Sequence, residues 1–279
     1  MTASLTHVAA RDGTDILVRH WPATGAHSDP WATMLIVHGL AEHSGRYDHV
    51  GRFLAAKGID AHALDLRGFG GSGGPRASLE RWSQLHDDLQ DRVNALRTAA
   101  PDRPLVLYGH SLGGLVALGY VVDGRSQPDL LVLSAPALQA SIPRWQRVVV
   151  QAIGRVAPAT MIANRLDPEV LSRDPAVGRA YQADPLNEHR SSLGFGRLAL
   201  AEQGKVSDAL ADLRVPTLVI HGGDDRLVPP AASAALAGLP DCTRKVYPGL
   251  VHELHNEPES EAVLGDIVAW IRDRVGRMD

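Results

Sequence analysis

Gly109-His110-Ser111-Leu112-Gly113 sets a serine between two glycines, with the apolar run LVLY (105–108) before it and LGGLVALGYVV (112–122) after it. A strand feeding directly into a helix through such a pentapeptide stands the serine hydroxyl on a sharp turn above a sheet. That hydroxyl is a weak nucleophile at neutral pH and needs a histidine base, itself oriented by a carboxylate. Two further apolar runs end on those residue types. VPTLVIHG (215–222) is followed by Gly223, Asp224 and Asp225, and TRKVYPG (243–249) leads to His252. Serine, acid and histidine then occur in the chain order that such an elbow requires. The chemistry would be acyl transfer: Ser111 attacks an ester carbonyl, His252 carries the proton, and Asp225 or Asp224 holds the imidazole in its working tautomer. The imidazole must be neutral to accept a proton, so the rate should fall below a pH near the histidine pKa. A flat profile from about pH 5 to 8 would count against His252.

Other patterns compete for these roles. Gly70-Gly71-Ser72-Gly73-Gly74 repeats the elbow spacing, but Pro75 follows it, which suits a loop and not a helix. The same loop, from Gly68 to Gly73, spells G-x-G-x-x-G. A dinucleotide site needs that loop to open a helix and an acid to end the next strand, which here ends in Tyr108-Gly109. His221 also ends a strand but precedes the acid, so the order fails; His255 is the rival base. His252, Glu253 and His255 invite a zinc reading, yet H-E-x-x-H wants histidine where Asn256 stands. No metal and no organic cofactor are expected. A tetrahedral intermediate needs two oxyanion donors. The backbone N–H of Leu112, after the nucleophile, supplies one, and that of Leu40, after the strand TMLIVHG (33–39), the other.

The elements that must position these groups alternate. LTHVAA and DILVRHW, joined through Asp12-Gly13, read as an antiparallel hairpin. Strand runs at 33–39, 59–65, 104–110, 129–136, 215–222 and 243–249 follow, eight strands in all with the hairpin. Helical patterns at 47–58, about 78–99, 112–122, a short alanine-rich stretch and 259–275 separate them. Such alternation predicts an α/β fold: a mostly parallel sheet with helices on both faces. The beat breaks between 137 and 205, where no convincing β run occurs and prolines punctuate helical segments. The chain therefore divides into a core, 1–136 and 206–279, and an inserted helical cap, 137–205.

At 279 residues and 44% hydrophobic content the chain can bury a large core, which excludes a disordered or disulfide-stapled protein. A net charge of −4 offers no polyanion footprint, so no nucleic-acid partner is expected. A single cysteine, Cys242, permits no intrachain disulfide. The start has no basic-then-apolar leader and no run reaches the ~18 apolar residues of a spanning helix, so a cytoplasmic protein is expected. Nothing in the residues fixes an oligomeric state.

HGLAEHSGRY (38–47), DLRGFGGSGG (65–74), GHSLGG (109–114), GGDDRLVPP (222–230) and YPGLVHELHNEP (247–258) together resemble the monoacylglycerol lipases of the serine α/β-hydrolase superfamily. The resemblance implies an eight-stranded α/β-hydrolase fold and cleavage of monoacylglycerol to fatty acid and glycerol. It places the acid immediately before Arg226, at Asp225, and supports Leu40 and Leu112 as oxyanion donors. It also implies that Glu42, Arg46, His110, Tyr181 and His255 hold the glycerol end; the competing reading is that Glu42 and Arg46 merely brace the loop after His38. A lysophospholipase or short-chain carboxylesterase would use the same triad. A non-catalytic receptor for an apolar ligand is the reading from another class, one that usually accompanies a broken triad. RVVVQAIGRVAPATMIA (147–163) reads two ways, as a helix buried on the core or as a cap surface meeting membrane or lipid aggregates.

Overall fold

The computed structural model describes residues 2–24, 29–139, 143–164 and 166–277. Eight strands form one sheet: β1 (Ser4–Ala9), β2 (Asp15–Trp21), β3 (Ala32–Val37), β4 (Ile59–Leu64), β5 (Leu105–His110), β6 (Leu130–Ser134), β9 (Thr217–Gly222) and β10 (Cys242–Tyr247). Their spatial order is β1-β2-β4-β3-β5-β6-β9-β10. The β1–β2 and β2–β4 pairings are antiparallel and all later ones parallel. Strands β3, β5, β6 and β9 are buried at every position. Helices cover both faces there, which is why these strands read as unbroken apolar runs and not as alternations.

One face packs on α2 (Ser83–Ala99) and α3 (Leu112–Val122) through Leu89, Val93, Leu115 and Leu118. The other packs on α1 (Asp48–Ala56) and α7 (Ser260–Val275) through Val50, Leu54, Leu264 and Ile267. Each fully buried Leu or Ile contributes about 1.5–3 kcal/mol, so the sheet is a rigid platform for whatever its strand ends carry.

Three local differences from the sequence reading have physical causes. Helix α2 starts at Ser83, not near 78, because the Gln84 side-chain carbonyl accepts from the amides of Glu80 and Arg81 and satisfies them outside the helix. The alanine-rich stretch Pro230–Gly238 winds as a 3-10 helix, with Ser233 Oγ tied to Pro230 O and to His221 Nδ1. Between 137 and 205 lie α4 (Arg144–Val156), α5 (Pro175–Ala183) and most of α6 (Leu193–Ala209), but also β7 (Met161–Ala163) paired antiparallel with β8 (Arg190–Ser192). Three-residue strands are too short to leave an alternating pattern in the sequence. Residue 205 falls inside α6, which sends Phe195 and Val206 into the core beside α2 and α3. No described helix is long and apolar enough to cross a membrane.

Candidate active site

The turn between β5 and α3 carries Ser111 at φ 51°, ψ −115°, a conformation L-residues rarely adopt. Such strain costs about 1–3 kcal/mol and persists only where packing over-determines it. The glycines supply that packing. A Cβ on Gly109 would lie 2.4 Å from Gly113 O, and one on Gly113 would lie 2.2 Å from Val37 O. Strand, turn and helix can approach this closely only with glycine at both places. The hydrogen bond from Ser111 N to Ser134 O, 2.9 Å, ties the turn to β6.

His252 follows β10, and its Nδ1–H donates to Asp225 Oδ2 at 2.7 Å, leaving Nε2 to accept a proton. The other oxygen, Asp225 Oδ1, accepts from the amides of Leu227 and Val228, each at 2.8 Å. Burial by itself would raise the Asp225 carboxyl, but hydrogen bonding to His221 and His252 holds it well below the usual carboxylate range. The carboxylate is thus charged at neutral pH and fixed in position. Asp224 is exposed on the same turn. His221 lies behind the acid: its Nε2–H donates to Val228 O at 2.9 Å and stands 3.4 Å from Asp225 Oδ2. His221 thus packs against the acid's far side.

The loop after β3 packs flush against the nucleophile turn, because a Cβ on Gly39 would fall 3.3 Å from Ser111 Cβ. His38 anchors that loop, donating from Nδ1 to Gly39 O at 2.8 Å and accepting at Nε2 from Leu66 N at 2.9 Å. Among the described residues neither the Leu40 nor the Leu112 amide has a protein acceptor. Leu112 is buried, where an unpaired backbone donor is rare, while Leu40 is partly open to solvent. Two such amides beside Ser111, one at the positive end of α3, suit an oxyanion.

A polar wall continues from this loop. Glu42 Oε1 accepts from Gly39 N at 2.6 Å and Tyr47 OH at 2.8 Å, and its Oε2 accepts from Arg46 Nη1 at 2.6 Å. Arg46 also grips Glu253 with two hydrogen bonds of 2.6 and 2.7 Å. Burial opposes the charge on Glu42, yet Arg46 holds its carboxyl down to about 2. The guanidinium lies 5.2 Å from the centre of the Tyr181 ring, joining α5 to the wall. Replacing Arg46 by alanine would leave two buried carboxylates uncompensated. The expected loss is about 3–5 kcal/mol in urea unfolding; a loss below about 1 kcal/mol would mean that water already screens the pair.

Ser111, Leu40, Leu112, Glu42, His110, Tyr181 and His252 all line one cavity of about 300 Å³ together with Leu115, Leu166, Leu171 and Leu227, the last three packed around Tyr181 and Ala41. Arg46 and His255 do not line it. Arg46 sits behind Glu42 and Glu253, and His255 sits behind His110, ring centres 4.9 Å apart. The Tyr181 hydroxyl and both His255 nitrogens are buried without a hydrogen-bond partner among the described residues. His252, Glu253 and His255 do not converge as metal ligands; Asp225 and Arg46 already engage the first two. Among the described residues the one His/Asp grouping with convergent ligand atoms is His20, Asp60 and His62, on β2 and β4, where Arg103 also approaches Asp60 at 3.5 Å.

Residues 28–259 match the family described as serine aminopeptidase, S33. A monoacylglycerol lipase of Mycolicibacterium smegmatis is 38% identical over 250 residues, covering 88% of this chain and 89% of that protein. The chain belongs to the monoacylglycerol lipase family of serine α/β-hydrolases. A monoglyceride lipase of Rattus norvegicus is 30% identical across 97% of this chain and 91% of that one. The crystal structure of a Paleococcus ferrophilus monoacylglycerol lipase matches with a TM-score of 0.81 at 26% identity, covering 97% of this chain and 99% of its own. The α/β-hydrolase fold that the resemblance implies is the fold of the family, and its mostly parallel sheet is the one the apolar runs predict.

Sequence reading weighed His221 only as a rival base and Glu253 only as a zinc ligand, and it passed over the cavity-lining amides Gln139, Asn164 and Gln203. Glu253 adjoins His252, yet its partner Arg46 lies 207 residues away, a pairing no local pattern reveals. Burial of several histidines also has a stability consequence. Burial pushes His86 down to about 4 and His110 to about 3, and it lowers His38 and His255 as well. In the unfolded chain these imidazoles take a proton near pH 6.5, before the native state does. Their stabilisation is thus fully present above about pH 6.5 and is lost toward the lower folded values, about 1.4 kcal/mol per pH unit each. Glu202 and Asp88, raised by burial, act with the opposite sign. The urea midpoint is expected to fall between pH 7 and 5; a midpoint that holds or rises would contradict it.

Proposed function

We propose that the chain hydrolyses monoacylglycerols to free fatty acid and glycerol through an acyl-enzyme on Ser111. Ser111 Oγ attacks the ester carbonyl and its proton passes to His252 Nε2. The amides of Leu40 and Leu112 hold the developing oxyanion. His252, now an imidazolium stabilised by Asp225, gives the proton to the glycerol oxygen as the carbonyl–oxygen bond breaks. Water then repeats the sequence on the acyl ester, releasing the carboxylate and regenerating the serine.

One observation carries this reading: a single cavity is lined by Ser111, His252, the polar side chains Glu42, His110 and Tyr181, and four leucines. The leucine side chains suit an acyl chain, and Glu42, His110 and Tyr181 suit the hydroxyls of glycerol, with Arg46 and His255 supporting them from behind. We assign residues 137–205 as a cap over this cavity. Trp145 and Val148 on α4 are 65% and 67% exposed, which supports a cap surface that meets membrane or lipid aggregates from the cytoplasm.

Comparing purified protein on a monoacylglycerol, lysophosphatidylcholine and p-nitrophenyl butyrate tests the assignment. The expected result is the highest kcat/KM on the monoacylglycerol. A preference for the lysophospholipid or the short ester would replace it with the corresponding esterase reading.

A further inference from the structure

A larger cavity, about 540 Å³, opens between the core segment 67–84 and helices α4 and α6. It shares no lining residue with the cavity at Ser111. Gly154 and Gly194 form part of its wall and let α4 and α6 approach at backbone distance. A Cβ on Gly154 would lie 2.7 Å from Leu193 O and 3.0 Å from Arg197 Cβ, and one on Gly194 would lie 2.9 Å from Pro158 Cβ. This crossing sets Arg155 of α4 and Arg197 of α6 on the same groove.

Three arginines line the groove, and they differ. Arg67 is committed, donating to Asp88 at 2.5 and 2.6 Å and to Asp12 at 2.8 Å. Arg155 and Arg197 form no ion pair or hydrogen bond among the described residues, and the Arg197 Nε is buried without a partner. Arg197 is partly buried and Arg155 exposed, so both can turn their terminal guanidinium nitrogens, which have no acceptor among the described residues, toward a ligand in the groove. Gln84 adds a donor: its carbonyl is used by Glu80 N and Arg81 N, so its NH2 group is available to the groove. Glu80 lines the same groove and opposes an anion there.

We propose that this groove binds a phosphate monoester, held by Arg155 and Arg197 and bridging the cap helices to the core. A forked guanidinium matches phosphate oxygens bidentately, and with Asp12 already held by Arg67, two of them outweigh the Glu80 carboxylate for a dianion. The phosphate could belong to a soluble ester or to a phospholipid headgroup, and both present the same chemistry to the groove.

The test uses the full chain and reads binding, not turnover, so its outcome is separable from that of the proposed hydrolysis. Glycerol 3-phosphate and inorganic phosphate are titrated calorimetrically, and phosphatidylcholine vesicles with and without phosphatidic acid are co-sedimented. Saturable binding of the soluble probes identifies a free ester; binding only to phosphatidic-acid vesicles identifies a headgroup. In either case the Arg155→Ala/Arg197→Ala variant should weaken binding roughly tenfold or more, and Glu80→Gln should tighten it. Tighter binding by Glu80→Gln cannot arise from misfolding. The proposal fails if neither probe class binds, or if the double arginine variant binds as the parent does.

Discussion

Ser111→Ala is expected to lower kcat on a monoacylglycerol by about four to six orders of magnitude and to abolish labelling by a fluorophosphonate. The elbow holds the Ser111 backbone in place through Gly109, Gly113 and the Ser111 N to Ser134 O bond, none of which involves the hydroxyl. Alanine therefore keeps the turn, the two unpaired amides and the Asp225–His252 pair, and removes only the attacking oxygen. What rate remains over water would come from the oxyanion donors and binding. Measuring both the rate and the thermal midpoint separates lost chemistry from lost fold. A variant retaining a tenth of the parent rate, or still labelled at that site, would remove Ser111 from the mechanism. A parent chain that neither turns over the ester nor takes the label would leave the non-catalytic receptor as the reading to pursue.

Asp225→Asn should cost about four orders of magnitude in kcat, and hydrogen-bond accounting at its two oxygens says why. One oxygen accepts two backbone N–H groups, from Leu227 and Val228, while the other accepts the His252 Nδ1–H. An asparagine has one oxygen and one NH2. Turning the NH2 toward Leu227 and Val228 would set donor against two donors, so the amide oxygen must stay there. The NH2 then faces His252 and forces Nδ1 to become the acceptor. The proton moves to Nε2, and the imidazole can no longer take the serine proton. Asp224→Asn, on the exposed neighbour, should leave kcat near the parent value. A loss of less than about tenfold in Asp225→Asn, or a large loss in Asp224→Asn, would overturn the assignment of the orienting acid.

These two results would test residues that local sequence already singled out. A strand, a serine between glycines and a helix are contiguous, and so their geometry is dictated by neighbours within a few residues. Gly109 and Gly113 are demanded by backbone approach at the same turn that presents Ser111. The decision between Asp225 and Asp224 is of a different kind. Both follow β9, and geometry separates them because only Asp225 faces the amides of Leu227 and Val228.

The short β7–β8 pair, the late start of α2 and the passage of α6 into the core show the limit of local reading. Each depends on a partner far along the chain or on one side chain capturing two amides. Periodicity in a single segment carries no record of either.

By itself the sequence determined the strand–helix alternation, the elbow and the serine–acid–histidine order, because apolar period, glycine sterics and chain order are properties of contiguous residues. Only the tertiary structure decided that Arg46 is clamped between Glu42 and Glu253, that His221 lies behind Asp225, and that Arg155 and Arg197 share a groove with no ion pair of their own among the described residues. Those facts depend on which charges and rings burial brings together, and burial is a property of the packed chain as a whole.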